Sequence, residues 1–398
     1  MNPTPASTAG GERVVTRRFV LATLANLVFF IGVTAFFSLP VHLEAVGASR
    51  ADVGRVMGAF GLACLVAIPL TGSLADRFGR QRFMFAGALG WVGISLLFTA
   101  VDRVGPLVYG LRLGQGVAFS LAFVATNATI VDLAPAGSLG RAIAWFGATT
   151  LISHAVGPSL GEWVATTWGF RSLFLLSAAV ALASLPLYFA VHDVPRPPSS
   201  PAAARTAARA LFFRRGGLGP LACALGTAVT FGTALNFMPV FVRARGLPSH
   251  APFFVTYVAA AIVVRIFAGG LGDRVGHRRV GLVGAVGFAL AALGFAFVGA
   301  RWQLIGVSLA FGLAHGLAYP AMNAAFVGSA PAQARGRAMA LFNLAFNLGV
   351  TLSAFVAGEL AERFDYRVMW AVSAALSLVG ALVFFVDRPA LSAADRAG

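Results

Sequence analysis

The chain has 398 residues, of which 58% are hydrophobic and 11% charged, with a mean hydropathy of +0.82. A soluble domain carries about 25% charged residues, so most of this surface must face lipid. The net charge of +16 comes from arginine alone, and the arginines fall in short connectors between apolar runs, a pattern of membrane orientation and not of nucleic-acid recognition.

Residues 1–18 form a polar tail with Arg13, Arg17 and Arg18, and the first apolar run follows without a small-residue cleavage site. That order predicts a retained first helix and not a signal peptide. A spanning helix needs about 20 mostly apolar residues. Twelve runs qualify: 19–43, 53–75, 83–101, 105–133, 139–163, 170–191, 218–242, 251–272, 280–300, 303–329, 338–361 and 368–386. One long polar interruption, 192–217, is rich in Pro, Ala and Arg and reads as a flexible cytoplasmic linker. The expected organisation is an all-α polytopic membrane protein: an N-terminal tail (1–18), a six-helix bundle (19–191), the linker (192–217), a second six-helix bundle (218–387) and a C-terminal tail (388–398). Placing the amino terminus inside puts nineteen arginines in the cytoplasm and nine outside, which predicts that both termini are cytoplasmic. Cys64 and Cys223 lie inside apolar runs, against a disulfide framework or a cysteine metal cluster.

The second bundle repeats the first. Gly72-Ser-Leu-Ala-Asp76-Arg77-Phe-Gly79-Arg80-Gln81-Arg82 recurs as Gly269-Gly-Leu-Gly-Asp273-Arg274-Val-Gly276-His277-Arg278, half a chain away. Asn127 to Pro135 matches Asn323 to Pro331, Gly161-Glu162 matches Gly358-Glu359, and Arg171 matches Arg367. Two pseudo-symmetric six-helix bundles with a midplane site between them are one architecture of secondary transporters.

The Gly72–Arg82 stretch resembles the G-x-L-a-D-r-x-G-r-k loop signature of the major facilitator superfamily, with Gln81 in place of the usual basic residue. Arg112-Leu-Gly-Gln115-Gly116 resembles its R-x-x-Q-G element. Gly157-Pro158-Ser-Leu-Gly161 resembles the G-P-x-x-G-G element of its proton-coupled exporters, with Glu162 where the final Gly stands. The resemblance covers the whole chain. It implies a twelve-helix transporter of the bacterial inner membrane that works by rocking-switch alternating access, with no cofactor and the proton gradient as energy source. The implied partners are a small-molecule substrate, protons and lipid, and nothing demands more than a monomer.

Polar residues inside a membrane are costly and mark functional sites. In the fourth run Arg112, Gln115, Phe119, Phe123 and Asn127 share one helical face, and the tenth run repeats it with Gly312, His315, Tyr319 and Asn323. Asn26 in the first run, Thr230, Thr233 and Asn236 in the seventh, and Asn343 and Asn347 in the eleventh add similar faces. These are expected to line one central cavity; the alternative is that the amides only hold helices together. Arg112 stays charged, so it needs a carboxylate, helix-end carbonyls or an anionic substrate. Many drug exporters of the superfamily keep an acid in the first helix, where this chain has Asn26. That departure, with Arg265 in the eighth run, favours neutral, zwitterionic or anionic cargo.

Proton coupling needs a group that titrates, and His154, His315, Glu162 and Glu359 are the candidates; for the histidines the alternative is a satisfied core position. Gly157, Pro158 and Gly161 are expected to allow close packing and bending. Gly72, Asp76, Arg77, Gly79 and Arg80 with Asp132, and Asp273 with Arg274, are expected to latch the cytoplasmic helix ends and so gate transport. Export of a small organic compound against protons is the favoured reading; proton-coupled uptake of an anionic or neutral metabolite is the alternative. The six histidines are scattered singly and no G-x-x-x-x-G-K-[ST] loop is present, which argues against a membrane enzyme and an ATP-driven pump.

Overall fold

The structure, a computed structural model, describes residues 16–135, 138–191, 216–331 and 334–387. The tails beyond these limits, and residues 192–215 of the expected linker, lie outside the described residues. The described residues form twelve long helices: α1 (Arg17–Ala45), α2 (Arg50–Phe78), α3 (Arg80–Phe98), α4 (Pro106–Leu133), α5 (Leu139–Trp168), α6 (Phe170–Phe189), α7 (Leu218–Ala244), α8 (Ala251–Ala268), α9 (His277–Phe295), α10 (Arg301–Gly328), α11 (Arg335–Arg363) and α12 (Tyr366–Val386). Eleven are long and apolar enough to cross a membrane. The remaining one, α5, has the same length but a denser polar stripe through Thr149, Thr150, Ser153, His154 and Ser159. Several helices run past the apolar limits read from sequence, because the arginine-bearing turns at their ends stay helical. The eighth run departs the other way: α8 stops at Ala268, and Leu271–Val275 forms a separate helical turn.

Local chemistry sets the breaks. Ser49 and Asp52 form a reciprocal capping box that starts α2. Gly79 (φ +94°) and Gly276 (φ +100°) turn the chain into α3 and α9, in a region of backbone space that a side chain would strain.

Packing repeats between the halves. α1 packs on α5 and α6, α3 on α4 and α6, and α2 on α4; α7, α9 and α8 make the corresponding contacts in the second half. The halves meet where α2 lies against α11 and α8 against α5, again a symmetric pair. Both ends of the described chain emerge on one face, the termini face, and the opposite one is the far face. Against α11, an added Cβ at Gly54 would stand 2.4 Å from the Ala354 carbonyl and one at Gly61 2.5 Å from the Thr351 hydroxyl. Among the described residues, the hydrogen bonds and ion pairs that join the halves lie between midplane and far face. On the termini-face side of the midplane Asn347 of α11 is exposed.

Candidate functional site

Three layers stack along the boundary between the halves. At the far face, the Glu162 carboxylate near the end of α5 reaches the start of α8. It accepts from the Ser249 hydroxyl at 2.7 Å and from the backbone N–H groups of His250 and Ala251 at 2.9 Å each, and His250 Nδ1 lies 2.9 Å away. The first amides of a helix have no partner within it and carry the positive end of its dipole, so a carboxylate suits this place. His250 Nε2 continues the chain to the Ser38 hydroxyl of α1 at 3.2 Å. A pseudo-symmetric counterpart joins α11 to α2: Glu362 accepts from the Arg50 N–H at 2.8 Å, and Glu359 pairs with Arg55 at 2.7 Å and with Arg363 at 3.3 Å. The Glu162 latch is largely buried, whereas Arg55 and Glu359 are 51% and 36% exposed.

The middle layer is aromatic and asymmetric. In the first half Phe30, Phe60, Phe119 and Phe123 cluster between α1, α2 and α4 with centroid separations of 5.3–5.5 Å. Above them Arg112 is buried at 4% exposure. Its guanidinium lies 4.8 Å over the Phe60 ring and donates to Gln115 Oε1 at 2.8 Å, while its Nε and Gln115 Nε2 have no partner. In the second half His315 stacks on Phe231 at 4.7 Å and 3°. The Tyr319 hydroxyl donates to Asn343 Oδ1 at 2.9 Å. His154 of α5 closes the layer across the boundary, its Nδ1 2.7 Å from the Tyr257 hydroxyl of α8.

The third layer is the termini-face junction. Arg80, buried at 9% exposure, bonds Asp76 at 2.8 and 3.2 Å and pairs with Asp132. It thereby ties the ends of α2 and α4 to the start of α3, all within the first half. Arg77 stands outside this junction, over the Phe78 ring. The second copy is built differently. His277 occupies the place of Arg80 and pairs with Asp273 at 3.2 Å, Asp273 being 78% exposed, and Arg274 is exposed. Gln81 donates to the Tyr188 and Phe189 carbonyls that end α6, as Arg278 donates to the Phe384 and Phe385 carbonyls and to the Asp387 carbonyl after α12. The amide thus does the same positioning work as the basic residue at that place in the repeat.

The expected site residues divide between these layers. Phe119 and Phe123 belong to the first-half cluster and His154, His315, Tyr319 and Asn343 to the second-half one, and half-buried Asn127 and Asn323 continue the α4 and α10 faces toward the termini face. Asn26 is fully buried and donates to the Thr150 hydroxyl at 3.4 Å. Asn236 and Asn347 donate to carbonyls of their own helices at 2.8 Å. Gly157 and Gly161 seat α5 on α1, where added Cβ atoms would lie 2.0 Å from the Thr34 hydroxyl and 3.0 Å from the Ala35 carbonyl; Pro158 lies between them inside α5. At Gly72 a Cβ would meet only Val124, at 3.9 Å, so close packing does not require a glycine there. Sequence reasoning missed Tyr257, Phe231, Ser249 and His250. A tyrosine in an apolar run and a histidine in a connector carry no spacing signal, and only the crossing of α5 and α8 brings them to His154 and Glu162. Among the described residues no group of His, Cys, Asp and Glu could hold a metal ion.

A family model described as Major Facilitator Superfamily matches residues 21–264 and 253–398. The chain is 25% identical over 385 residues to a multi-drug resistance efflux pump PmrA homolog of Lactococcus lactis, covering 90% of this chain and 92% of that one. It is 25% identical over 374 residues to the multidrug resistance protein MdtG of Klebsiella pneumoniae, covering 90% of each. Among solved structures, a variant of the nucleoside transporter NupG superposes with a TM-score of 0.77 at 16% identity, covering 92% of this chain and 99% of that one. A bacterial homolog of the human lysosomal transporter Spinster, inward-facing and unoccupied, gives 0.74 at 15% identity, covering 96% and 100%.

Proposed function

Because the chain belongs to the Major Facilitator Superfamily and is a multi-pass membrane transporter, not an enzyme, we propose that it exports a small organic compound across the bacterial inner membrane in exchange for protons. Both termini lie in the cytoplasm on this reading, which makes the described state inward-facing. The observation that carries it is the distribution of contacts between the halves. Among the described residues the hydrogen bonds and ion pairs that join them lie between midplane and far face, which supports a state closed at the far face. Rocking of the halves about the aromatic layer would present it to the other side. Export is supported by two relatives that match along nine-tenths of this chain, one named a multi-drug resistance efflux pump and the other a multidrug resistance protein. His154, His315, Glu162 and Glu359 are the groups able to carry the coupled proton.

The test is flux in inside-out vesicles holding the protein at an imposed pH gradient, the lumen acidic. Export against protons predicts that substrate accumulates in the lumen, that the lumen becomes alkaline as it does so, and that a protonophore abolishes both. Accumulation only in right-side-out vesicles with an acidic exterior would overturn export in favour of uptake.

A further inference from the structure

We propose that the α8–α10 face of the aromatic layer binds the negatively charged end of an aromatic organic anion, with Arg265 as its counter-charge and His315 as a second hydrogen-bonding group. This deepens the transport reading above and rests on it. Tyr257, Ala261 and Arg265 are spaced four residues apart and share one face of α8. That face is pressed on α10 through two glycines. An added Cβ at Gly312 would stand 2.3 Å from the Tyr257 carbonyl, and one at Gly316 3.0 Å from the Ala261 carbonyl. The contact sets Arg265 one turn beyond Ala261 on the side of α8 that meets α10.

Among the described residues nothing answers the charge of Arg265. Arg265 Nε is buried without a hydrogen-bond partner, and so is His315 Nδ1. On the α8–α10 side of the layer the neighbouring hydroxyls are committed, Tyr257 to His154 at 2.7 Å and Tyr319 to Asn343 at 2.9 Å. Among the described residues no carboxylate pairs with Arg265. Arg265 is half-buried; a guanidinium whose Nε is shielded from water calls for an acceptor, and a carboxylate matches its planar fork with two bonds. A cation would be repelled, and a neutral ligand would leave the charge unanswered. The body of the ligand is set by the walls: Phe231 lies flat on His315 at 4.7 Å, and Phe346 stands 4.9 Å from Tyr319 and 5.8 Å from Phe231. Ring faces and edges of this kind receive another aromatic ring.

The experiment is equilibrium binding to the purified full chain in lipid nanodiscs, with three probes of one shape: 1-naphthoate, 1-naphthalenemethanol and 1-naphthylmethylammonium. The expected result is naphthoate binding at least tenfold tighter than either of the others. Arg265→Gln should erase that preference, Arg265→Lys should retain part of it, and His315→Gln should weaken naphthoate alone by several-fold. Arg171→Gln, on an exposed surface, controls for net charge and should change nothing. Wild type that binds no naphthoate, or binds alcohol or ammonium as tightly, overturns the proposal whether or not a variant folds; so does a folded Arg265→Gln that keeps the preference. Binding is indifferent to direction and coupling, so reversed or proton-independent flux in vesicles would remove the export reading and leave this result standing.

Discussion

Replacing Glu162 by Gln tests what holds the far face shut. The carboxylate takes four contacts at 2.7–2.9 Å: two backbone amides, one hydroxyl and His250 Nδ1. An amide of the same shape keeps one acceptor oxygen, which serves at most two of them, and turns a donor toward the rest. A buried donor left unmade costs about 1–3 kcal/mol, and the loss of charge at a partly buried helix start costs up to about 2 kcal/mol. Together these weaken the closed far face by about 2–4 kcal/mol, a shift of roughly 30-fold to 1,000-fold in its opening. Hydrogen–deuterium exchange reads this directly, because the His250 amide donates to Glu162 and the Ala251 amide to Glu162 at 2.9 Å and to the Ser249 hydroxyl at 3.2 Å, neither having a partner within the helix. Their exchange should accelerate by that factor, while amides in the middle of α6 stay unchanged. Equal exchange in variant and wild type would refute the reasoning, since the latch would then contribute nothing to closure.

Other substitutions separate gate from scaffold. Gly54→Ala drives a Cβ to 2.4 Å from the Ala354 carbonyl of the other half, so the overpacking cost of about 1–3 kcal/mol falls on this conformation alone. Spin labels at Trp168 and Phe364 should report a widened far face with an unchanged thermal transition. Gly157→Ala meets the Thr34 hydroxyl at 2.0 Å and the Ile31 carbonyl at 2.8 Å within one half; it should lower the thermal transition by the equivalent of about 1–3 kcal/mol without widening anything. Arg80→Ala should lose about 1–3 kcal/mol of stability, less than a fully buried pair because Asp76 is 43% exposed. His277→Ala, its counterpart in the repeat, should leave the thermal transition where it is.

The fold was legible because a bilayer leaves few options: runs of about 20 apolar residues can only be spanning helices, and the repeated Asp76 and Asp273 connectors declare the duplication. The glycines of α5 were legible too, since Gly157 and Gly161 one turn apart mark close packing whatever the partner. The site was legible only along each helix. His315 and Tyr319 share a face by arithmetic, but that His154 meets Tyr257, or that Glu162 caps α8, depends on how α5 crosses α8, which no spacing within either segment encodes. Arg112 illustrates the limit. Its place on a polar face suggested an open cavity wall, whereas α2 covers it with Phe60 and Met57.

The pseudo-symmetric latches explain why one end of the transporter can be both tight and releasable. Late acids on α5 and α11 each accept from the start of a helix in the opposite half, α8 and α2. The α11–α2 latch sits in water, where screening leaves an ion pair little net energy. The α5–α8 latch is withdrawn from water, where the same bonds count for more and where the loss of an acceptor is not made good by solvent. Among the hydrogen-bonded contacts that close the far face, the most sheltered is therefore that of one carboxylate, two turns beyond His154 on the same helix. A rotation of α5 that strains the His154–Tyr257 bond at the aromatic layer also pulls Glu162 from the start of α8. The two bonds lie on one helix on either side of Pro158, so the central layer and the far face are linked to the extent that α5 turns through that proline as one body.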